Sequence, residues 1–342
     1  MKSISGYLPE SDKNTLENQT RHEIKRYLDI LAYEGYPGLL ARNHGGFTPE
    51  IAAAIKSEIL ASLGITLSGR VLDLGVGLGL GIQGYITTSP GIRNYIALEL
   101  NSSVIREAVP RVLQSLDEKL RSKVVLMNAS FNDIPLPPDA VDYVLEEDAF
   151  HHSEDLVQTF YESLRVLRPK GYIVAIDRFH DNEIQQEQLQ YLLDQQNPPE
   201  FWQATGASGC GHTRGELGEH EIRISEWEDA INEAAALLNI NHRVFFVKYW
   251  ILSARLRSVH EVCKSHPWQE RVRMHMYDRV LKTADELDAI FAYKALEPNG
   301  HPYFVSAKAN GSYHTWLTCA DKFQDPSRLG WMCRGVICIQ KL

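Results

Sequence analysis

The chain has 342 residues, 44% of them hydrophobic and 23% charged, and a formal net charge of −9. That length and apolar content allow one large domain or a core with a cap. Lys and Arg interleave with acids, as in Gln269-Glu270-Arg271-Val272-Arg273, which excludes the concentrated basic face that a DNA or RNA groove needs.

The opening MKSISGYLPESDKN lacks an apolar signal core, and no run approaches the roughly 20 apolar residues that span a bilayer. A cytoplasmic protein with no membrane and no nucleic-acid partner is expected. The five cysteines, Cys210, Cys263, Cys319, Cys333 and Cys338, are odd in number and never form CxxC, so free thiols are expected. A zinc site would have to gather Cys210 and His212 with the distant C-terminal cysteines.

In chain order, Thr48-Pro49 opens a helix with proline at its first position. Its apolar face is Ile51, Ile55, Ile59 and Leu63, and Gly64 closes it. Strand-like segments follow at Arg70–Leu74, Tyr95–Glu99, Val124–Met127, Asp142–Leu145 and Tyr172–Ile176. The helix after Ser153, its expected cap, carries the core stripe Leu156, Phe160, Leu164 and Leu167, and Pro169-Lys170-Gly171 turns the chain into the next strand. Strands separated by helices predict a mostly parallel sheet covered on both faces, whose ligands bind beyond the carboxyl ends of the strands.

After Asp177 the pattern changes. Gly206 to Gly218 holds five glycines with Cys210, His212 and Arg214, which reads as a mobile lid or a plain connection. Ser225-Glu226-Trp227-Glu228 reads as a capping box, followed by the stripe Trp227, Ile231, Ala235 and Leu238. Strand candidates at His242–Tyr249 and Pro302–Ala307 flank a helical insertion. Phe201, Trp202, Trp250, Trp268, Tyr277, Phe291 and Tyr293 line a substrate pocket, pack the cap to the core, or form a contact between copies in a homo-oligomer. The expected division is a helical segment over 1–47, a cofactor core over 48–180, lid and cap helices over 181–240, and a core strand at 241–249. A helical cap insertion over 250–300, a core strand at 301–309 and a C-terminal extension over 310–342 complete it.

The sharpest motif is VLDLGVGLGLG, residues 71–81, an apolar strand running into alternating glycines. Glycine lets the backbone turn tightly and bring its N–H groups against a ligand, at the positive end of the following helix. Glu99 ends the next strand, where an acid can accept hydrogen bonds from both hydroxyls of a ribose. Gly79-Leu80-Gly81-Ile82-Gln83-Gly84 formally matches GxGxxG, which keeps an NAD(P)-dependent oxidoreductase as an alternative. The match begins too far beyond the strand, however, and Asp73 lies where an acid would repel a pyrophosphate but suit an ammonium group.

VLDLGVGLGLG and YIALELN resemble the first two motifs of the class I, Rossmann-like S-adenosylmethionine-dependent methyltransferases. The likeness continues in order and spacing to about residue 180. It implies a doubly wound, mostly parallel seven-stranded sheet with mainly helical cap insertions. It also implies S-adenosyl-L-methionine as cofactor and a small-molecule acceptor, in secondary metabolism. Carried across by position, it puts Asp73, Gly75 and Gly77 around the methionine moiety and Glu99 on the ribose, with Leu100 among the cofactor-binding residues. Ser130 and Phe131 would flank the adenine, and Glu146 would sit beside the methionine amine. Ser130 stands where the family often has an acid, and Val76 replaces a small polar residue. Residues 15 to 35 resemble the family's N-terminal cover.

Methyl transfer to an O, N or C atom is an in-line displacement, helped by a general base where the acceptor carries a proton. Glu146-Glu147-Asp148-Ala149-Phe150-His151-His152 is the local source of one, with His151, His152 and Glu147 as candidates. The same histidines could instead tie down the following helix, or with the acids hold a divalent metal, although no metal is the expectation. A non-methylating binding protein of the same fold remains the second alternative.

Overall fold

A computed structural model of the protein describes residues 3–5, 49–62, 64–180, 182, 184–194, 213–248 and 334–342. Its elements are β1 (Ser3–Ser5), α1 (Pro49–Ser62), β2 (Gly69–Leu74), α2 (Leu80–Thr88) and β3 (Ile92–Glu99). Next come the short helices α3 (Val109–Leu113) and α4 (Glu118–Arg121), then β4 (Val124–Asn128) and β5 (Val141–Glu147). The last are α5 (Leu156–Val166), β6 (Leu167–Arg178), α6 (Gln186–Leu193), α7 (Ile224–Leu237), β7 (His242–Lys248) and β8 (Arg334–Lys341).

The strands form one sheet in the order β1-β4-β3-β2-β5-β6-β8-β7, and only the pairings of β8 are antiparallel. The expected seven-stranded sheet is thus present, and the three-residue β1 extends its edge to eight strands. In β2 every residue but Arg70 and in β6 most residues after Gly171 are buried, as a sheet covered on both faces requires. One apolar layer joins α1, α2 and α3 to the sheet and the other joins α5 and α7 to its opposite face.

Strand order reverses between β2 and β5, with β3 and β4 on one side and β6 on the other. The crevice at such a reversal is where open α/β sheets take ligands. In the register, Leu74 stands opposite Leu98 and Glu146, and Glu147 opposite Ile176. One sheet edge therefore collects Asp73, Glu99, Glu146, Glu147 and Asp177.

Three details differ from the sequence reading. Ser153 does not cap α5; the cap is Asp155, whose carboxylate accepts from the Gln158 N–H at 2.9 Å, while Ser153 Oγ accepts from the Asp155 N–H at 3.1 Å. The acidic half of the cap on α7 is Glu226, accepting from the Arg223 N–H at 2.6 Å, two residues earlier than the Ser225–Glu228 box. Helix α7 lies in the span read as lid and cap helices, and its stripe Trp227, Ile231 and Ala235 is buried in the core, as that stripe was expected to be. Trp227 is fully buried and meets Phe160 edge-on, with ring centroids 5.8 Å apart. The strand between β6 and β7 is Arg334–Lys341, inside the stretch read as a C-terminal extension. Distance in sequence hid it, because its apolar run Val336–Ile339 is only four residues long and its partners β6 and β7 lie far away in the chain.

The expected strand at 301–309, the helical segment before residue 48, the insertion over 250–300, residues 206–212 of the glycine-rich stretch and the named cap aromatics lie outside the described residues. So do Thr48, Leu63 and the side chains of Ile51, Ile55 and Ile59; in that helix Ala53 and Leu60 are buried. Cys338 is a free, buried thiol. Among the described residues no helix is long and apolar enough to cross a membrane.

Helix α1 packs on α2 at Gly84, where an added Cβ would sit 2.2 Å from the Pro49 carbonyl oxygen and 2.8 Å from Ala53 Cβ. Alanine has the higher helix propensity by about 1 kcal/mol, but overpacking against backbone costs about 1–3 kcal/mol. Gly84→Ala should therefore lower the denaturation midpoint, as read by urea unfolding.

Candidate active site

The loop after β2 has Gly75 (φ 71°), Gly77 (φ 48°) and Gly79 (φ 78°) all in the left-handed region, where a Cβ is strained. At Gly75 a Cβ would also come within 2.5 Å of Ala149 Cβ, so the loops after β2 and β5 touch there. At Gly77 no atom of the described residues lies within 4 Å of an added Cβ. The loop then enters α2, with Gly79 as N-cap. The dinucleotide-like GxGxxG is accounted for differently: Gly79 ends the loop and Gly84 serves helix packing.

Asp73 is buried and accepts a hydrogen bond from the Tyr95 hydroxyl at 2.7 Å. Burial pushes its carboxyl up to about 8, the Tyr95 hydrogen bond and Lys56 opposing and Glu147 and Glu99 adding to the rise. Glu99 accepts the Gly77 N–H at 3.0 Å on one oxygen and the Asn101 N–H at 2.9 Å on the other. This ties the end of β3 to the glycine loop. Asn128 Nδ2 donates to the Glu99 and Leu100 carbonyls at 3.0 and 2.8 Å, holding the chain where Leu100 begins its turn. Beyond β4, Ser130 is buried and its Oγ accepts from the Asn132 N–H at 3.0 Å. The half-buried Phe131 packs edge-on against Phe150 at 5.7 Å.

Beyond β5 the carboxyl groups divide. Glu146 is fully buried and accepts the Ala149 and Phe150 N–H groups at 2.5 and 3.1 Å. Burial, and then the neighbouring Asp177, raise its carboxyl well above the usual carboxylate range, which favours its neutral form. Glu147 is instead engaged by two partners outside β5, the Tyr85 hydroxyl at 2.5 Å and the Lys56 ammonium. Neither was singled out from sequence. Lys56 could have been, as the lone cation in the apolar helix PEIAAAIKSEILAS, but its partner becomes visible only once α1 docks on α2.

The two histidines differ. His151 is buried and donates twice to Asp177, from its backbone N–H at 3.0 Å and from Nδ1 at 2.6 Å. His152 lies tilted against it at 39°, with centroids 4.3 Å apart, is partly exposed, and meets the Gly218 carbonyl through Nδ1 at 3.1 Å. A carbonyl oxygen only accepts, so Nδ1 carries the hydrogen and, in the neutral ring, Nε2 is the basic nitrogen. Asp148, His151 and Asp177 each offer an atom within 4.8 Å of the others, a spacing a cation could use. Yet His151 Nδ1 is already spent on Asp177, and the Arg178 guanidinium supplies positive charge beside both acids.

Sequence reading also missed the charges behind this edge. Arg178 and Arg214 pair with Glu219 and Glu221. Burial alone would lower the Arg178 guanidinium, but Glu219, Glu221 and Asp177 outweigh it and hold it above its ordinary value. No periodic signal announces these residues, because the segment 214–223 is neither a long helix nor a strand.

With this geometry in hand, a family model described as a methyltransferase domain matches residues 72–175, from the middle of β2 to the middle of β6. Residues 72–175 thus carry a methyltransferase domain, in keeping with the resemblance of their motifs to the class I, Rossmann-like S-adenosylmethionine-dependent methyltransferases. It is 30% identical over 152 residues to the glycine/sarcosine/dimethylglycine N-methyltransferase of Actinopolyspora halophila, covering 43% of this chain and 26% of that one. It is 27% identical over 160 residues to the dimethylglycine N-methyltransferase of Parasynechococcus marenigrum, covering 45% and 55%. The chain thus spans between a quarter and about half the length of these two curated relatives. Among solved structures it resembles phosphoethanolamine N-methyltransferase 2 of Haemonchus contortus, at 13% identity over 98% of this chain and 60% of that one, with a TM-score of 0.47.

The raised Glu146 carboxyl can be checked directly. A group whose carboxyl is raised by folding stabilises the fold at low pH and loses that contribution as pH climbs from its unfolded value of 4.5 toward the higher folded one. Glu146→Gln keeps an acceptor for the two amides and a donor for Asp177 without ionising. Its stability relative to the parent protein should rise as pH climbs above 4.5, whereas Glu146→Ala, which orphans buried amides, should lose about 1–3 kcal/mol; thermal denaturation as a function of pH reads both.

Proposed function

We propose that the protein transfers a methyl group from S-adenosyl-L-methionine to a small-molecule acceptor by in-line displacement. A small amine is the favoured acceptor among the O, N and C nucleophiles the site chemistry allows. The observation that carries the reading is the glycine cradle at 75, 77 and 79, with no described atom within 4 Å of a Cβ at Gly77 and the Gly77 N–H tied to Glu99. The curated relatives named above, acting on glycine, sarcosine and dimethylglycine, support the amine class.

The residues present suit this cofactor. Gly75 and Gly77 would bring main-chain atoms against its methionine part, Asp73 and the edge near Glu146 would meet its ammonium end, and Glu99 would receive the ribose hydroxyls beside Leu100. Ser130 and Phe131 would border the adenine, Phe131 offering an apolar face. When bound, the cofactor supplies a sulfonium-activated methyl group that needs no covalent enzyme intermediate. The protein's own work is alignment and proton removal. His152 Nε2 is the base in this reading, because its Nδ1 is fixed on Gly218. His151 orients through Asp177, and Glu147 serves the cradle through Tyr85 and Lys56 rather than taking the acceptor's proton.

Calorimetric titration should give binding of S-adenosylmethionine and S-adenosylhomocysteine and none of NAD; tight NAD binding with silence toward the other two would overturn the proposal. Asp73→Ala and Glu99→Ala should each weaken binding by about 1–3 kcal/mol. A cation bound beside Asp73 favours its ionised form, and that carboxyl has been pushed up to about 8. Below that pH, binding must therefore release a proton, and affinity should climb as pH rises toward about 8. Asp73→Asn should flatten this slope, measured as heat in buffers of different ionisation enthalpy. Incubation with glycine, sarcosine and dimethylglycine, followed by mass spectrometry for a gain of one methyl group, tests the acceptor class.

A further inference from the structure

The segment from Arg214 to Ile222 crosses the carboxyl end of β6 as a strap and withdraws more charge from water than its packing requires. Glu219 Oε2 accepts from Arg178 Nη1 at 2.8 Å and from Arg214 Nε at 2.7 Å. The Glu221 side chain is fully buried and pairs with Arg214, with His180, and with Arg178 at 3.5 Å. Between these anchors the backbone closes on itself: the Glu219 N–H reaches the Arg214 carbonyl at 3.2 Å and the Gly218 N–H reaches the Gly215 carbonyl at 3.0 Å. Gly218 itself has φ 77°, which keeps this tight turn open only to glycine without strain.

The carbonyl exposed by that turn is the Gly218 oxygen that receives His152 Nδ1. Two residues on, the His220 N–H donates to the His151 carbonyl at 2.8 Å, so the strap grips the histidine turn twice. Backbone bonds alone would suffice for a surface turn. Ion pairs withdrawn from water are poor stabilisers, and fixing one arrangement against its alternatives is their best-supported use.

We propose that Arg178, Arg214, Glu219 and Glu221 form a clasp of positioning residues that holds the Gly218 carbonyl against His152 and so fixes its imidazole as the Nδ1–H tautomer. This rests on the assignment of His152 as the base. A ring released from the carbonyl can place its hydrogen on Nε2 instead, and in that form it has no lone pair directed at the acceptor. The clasp acts through His152 and touches neither substrate nor cofactor.

The test combines kinetics with 15N NMR of histidine-labelled protein, the His152 signals being assigned by their loss in His152→Gln. In the parent protein, Nδ1 of His152 should resonate as a protonated nitrogen and Nε2 as an unprotonated one at a pH where the ring is neutral. Arg214→Met and Glu219→Gln should average these signals and lower kcat by about tenfold or more, with KM for cofactor and acceptor within about twofold. Arg214→Lys should recover part of both. Arg168→Met, which breaks the Arg168–Asp142 pair at the opposite end of the sheet, should change neither. An unaltered His152 tautomer in Arg214→Met and Glu219→Gln, or a kcat loss that follows thermal stability alone, overturns the clasp. The base assignment fails separately, if His152→Gln leaves kcat unchanged in an enzyme that methylates. The NMR arm judges the clasp even for a protein that methylates none of the amines tried.

Discussion

Four carboxyl groups, those of Asp73, Glu99, Glu146 and Asp177, are buried at one edge of one sheet, and each has to find a partner there. A buried carboxylate without hydrogen bonds is not tolerated; it is neutralised or it is paired. This protein does both. Glu99 is met by the Gly77 and Asn101 amides, Asp73 by the Tyr95 hydroxyl with its carboxyl raised, and Glu146 by two amides, its carboxyl raised likewise. Asp177 takes the two N–H groups of His151 and the Arg178 N–H. Each of these bonds fixes a loop: the glycine turn, the end of β3, the turn after β5 and the histidine pair. The site is stiff because its acids are buried.

The same constraint separates the two histidines chemically. His151 faces an acid and is enclosed, so its nitrogens serve the fold. His152 faces a carbonyl and is partly exposed, so one nitrogen is held as a donor while the other is left basic. Charge balance extends outward from there. Arg178 lies between the Asp177 edge and the Glu219–Glu221 strap, and it links the cofactor end of the sheet to a segment outside the matched methyltransferase domain.

Sequence patterns made the core legible where hydrophobic burial dictates them. Strands buried on both faces must be continuously apolar, and an alternating run of glycines has few structural uses, so β2, its loop and Glu99 were readable from VLDLGVGLGLG and YIALELN. The amphipathic stripe of α5 was readable for the same reason. Its exact start was not, since Ser153 and Asp155 are both good caps and only the observed bonds separate them. The apolar stripe of α7 was readable as core, but not its partner Phe160, which lies far away in sequence, and β8 was hidden because its neighbours β6 and β7 come from distant parts of the chain.

By itself the sequence determined the class of sheet, the glycine loop and the acids that end its strands, because each depends on local geometry or on burial within a single element. The tertiary structure decided which acids are pushed toward the neutral form, which histidine donates to a carbonyl, and which distant arginines and glutamates stand behind it. Those properties depend on distances of about 3 Å between side chains far apart in the chain, where a pKa and a tautomer are set by neighbours rather than by residue type.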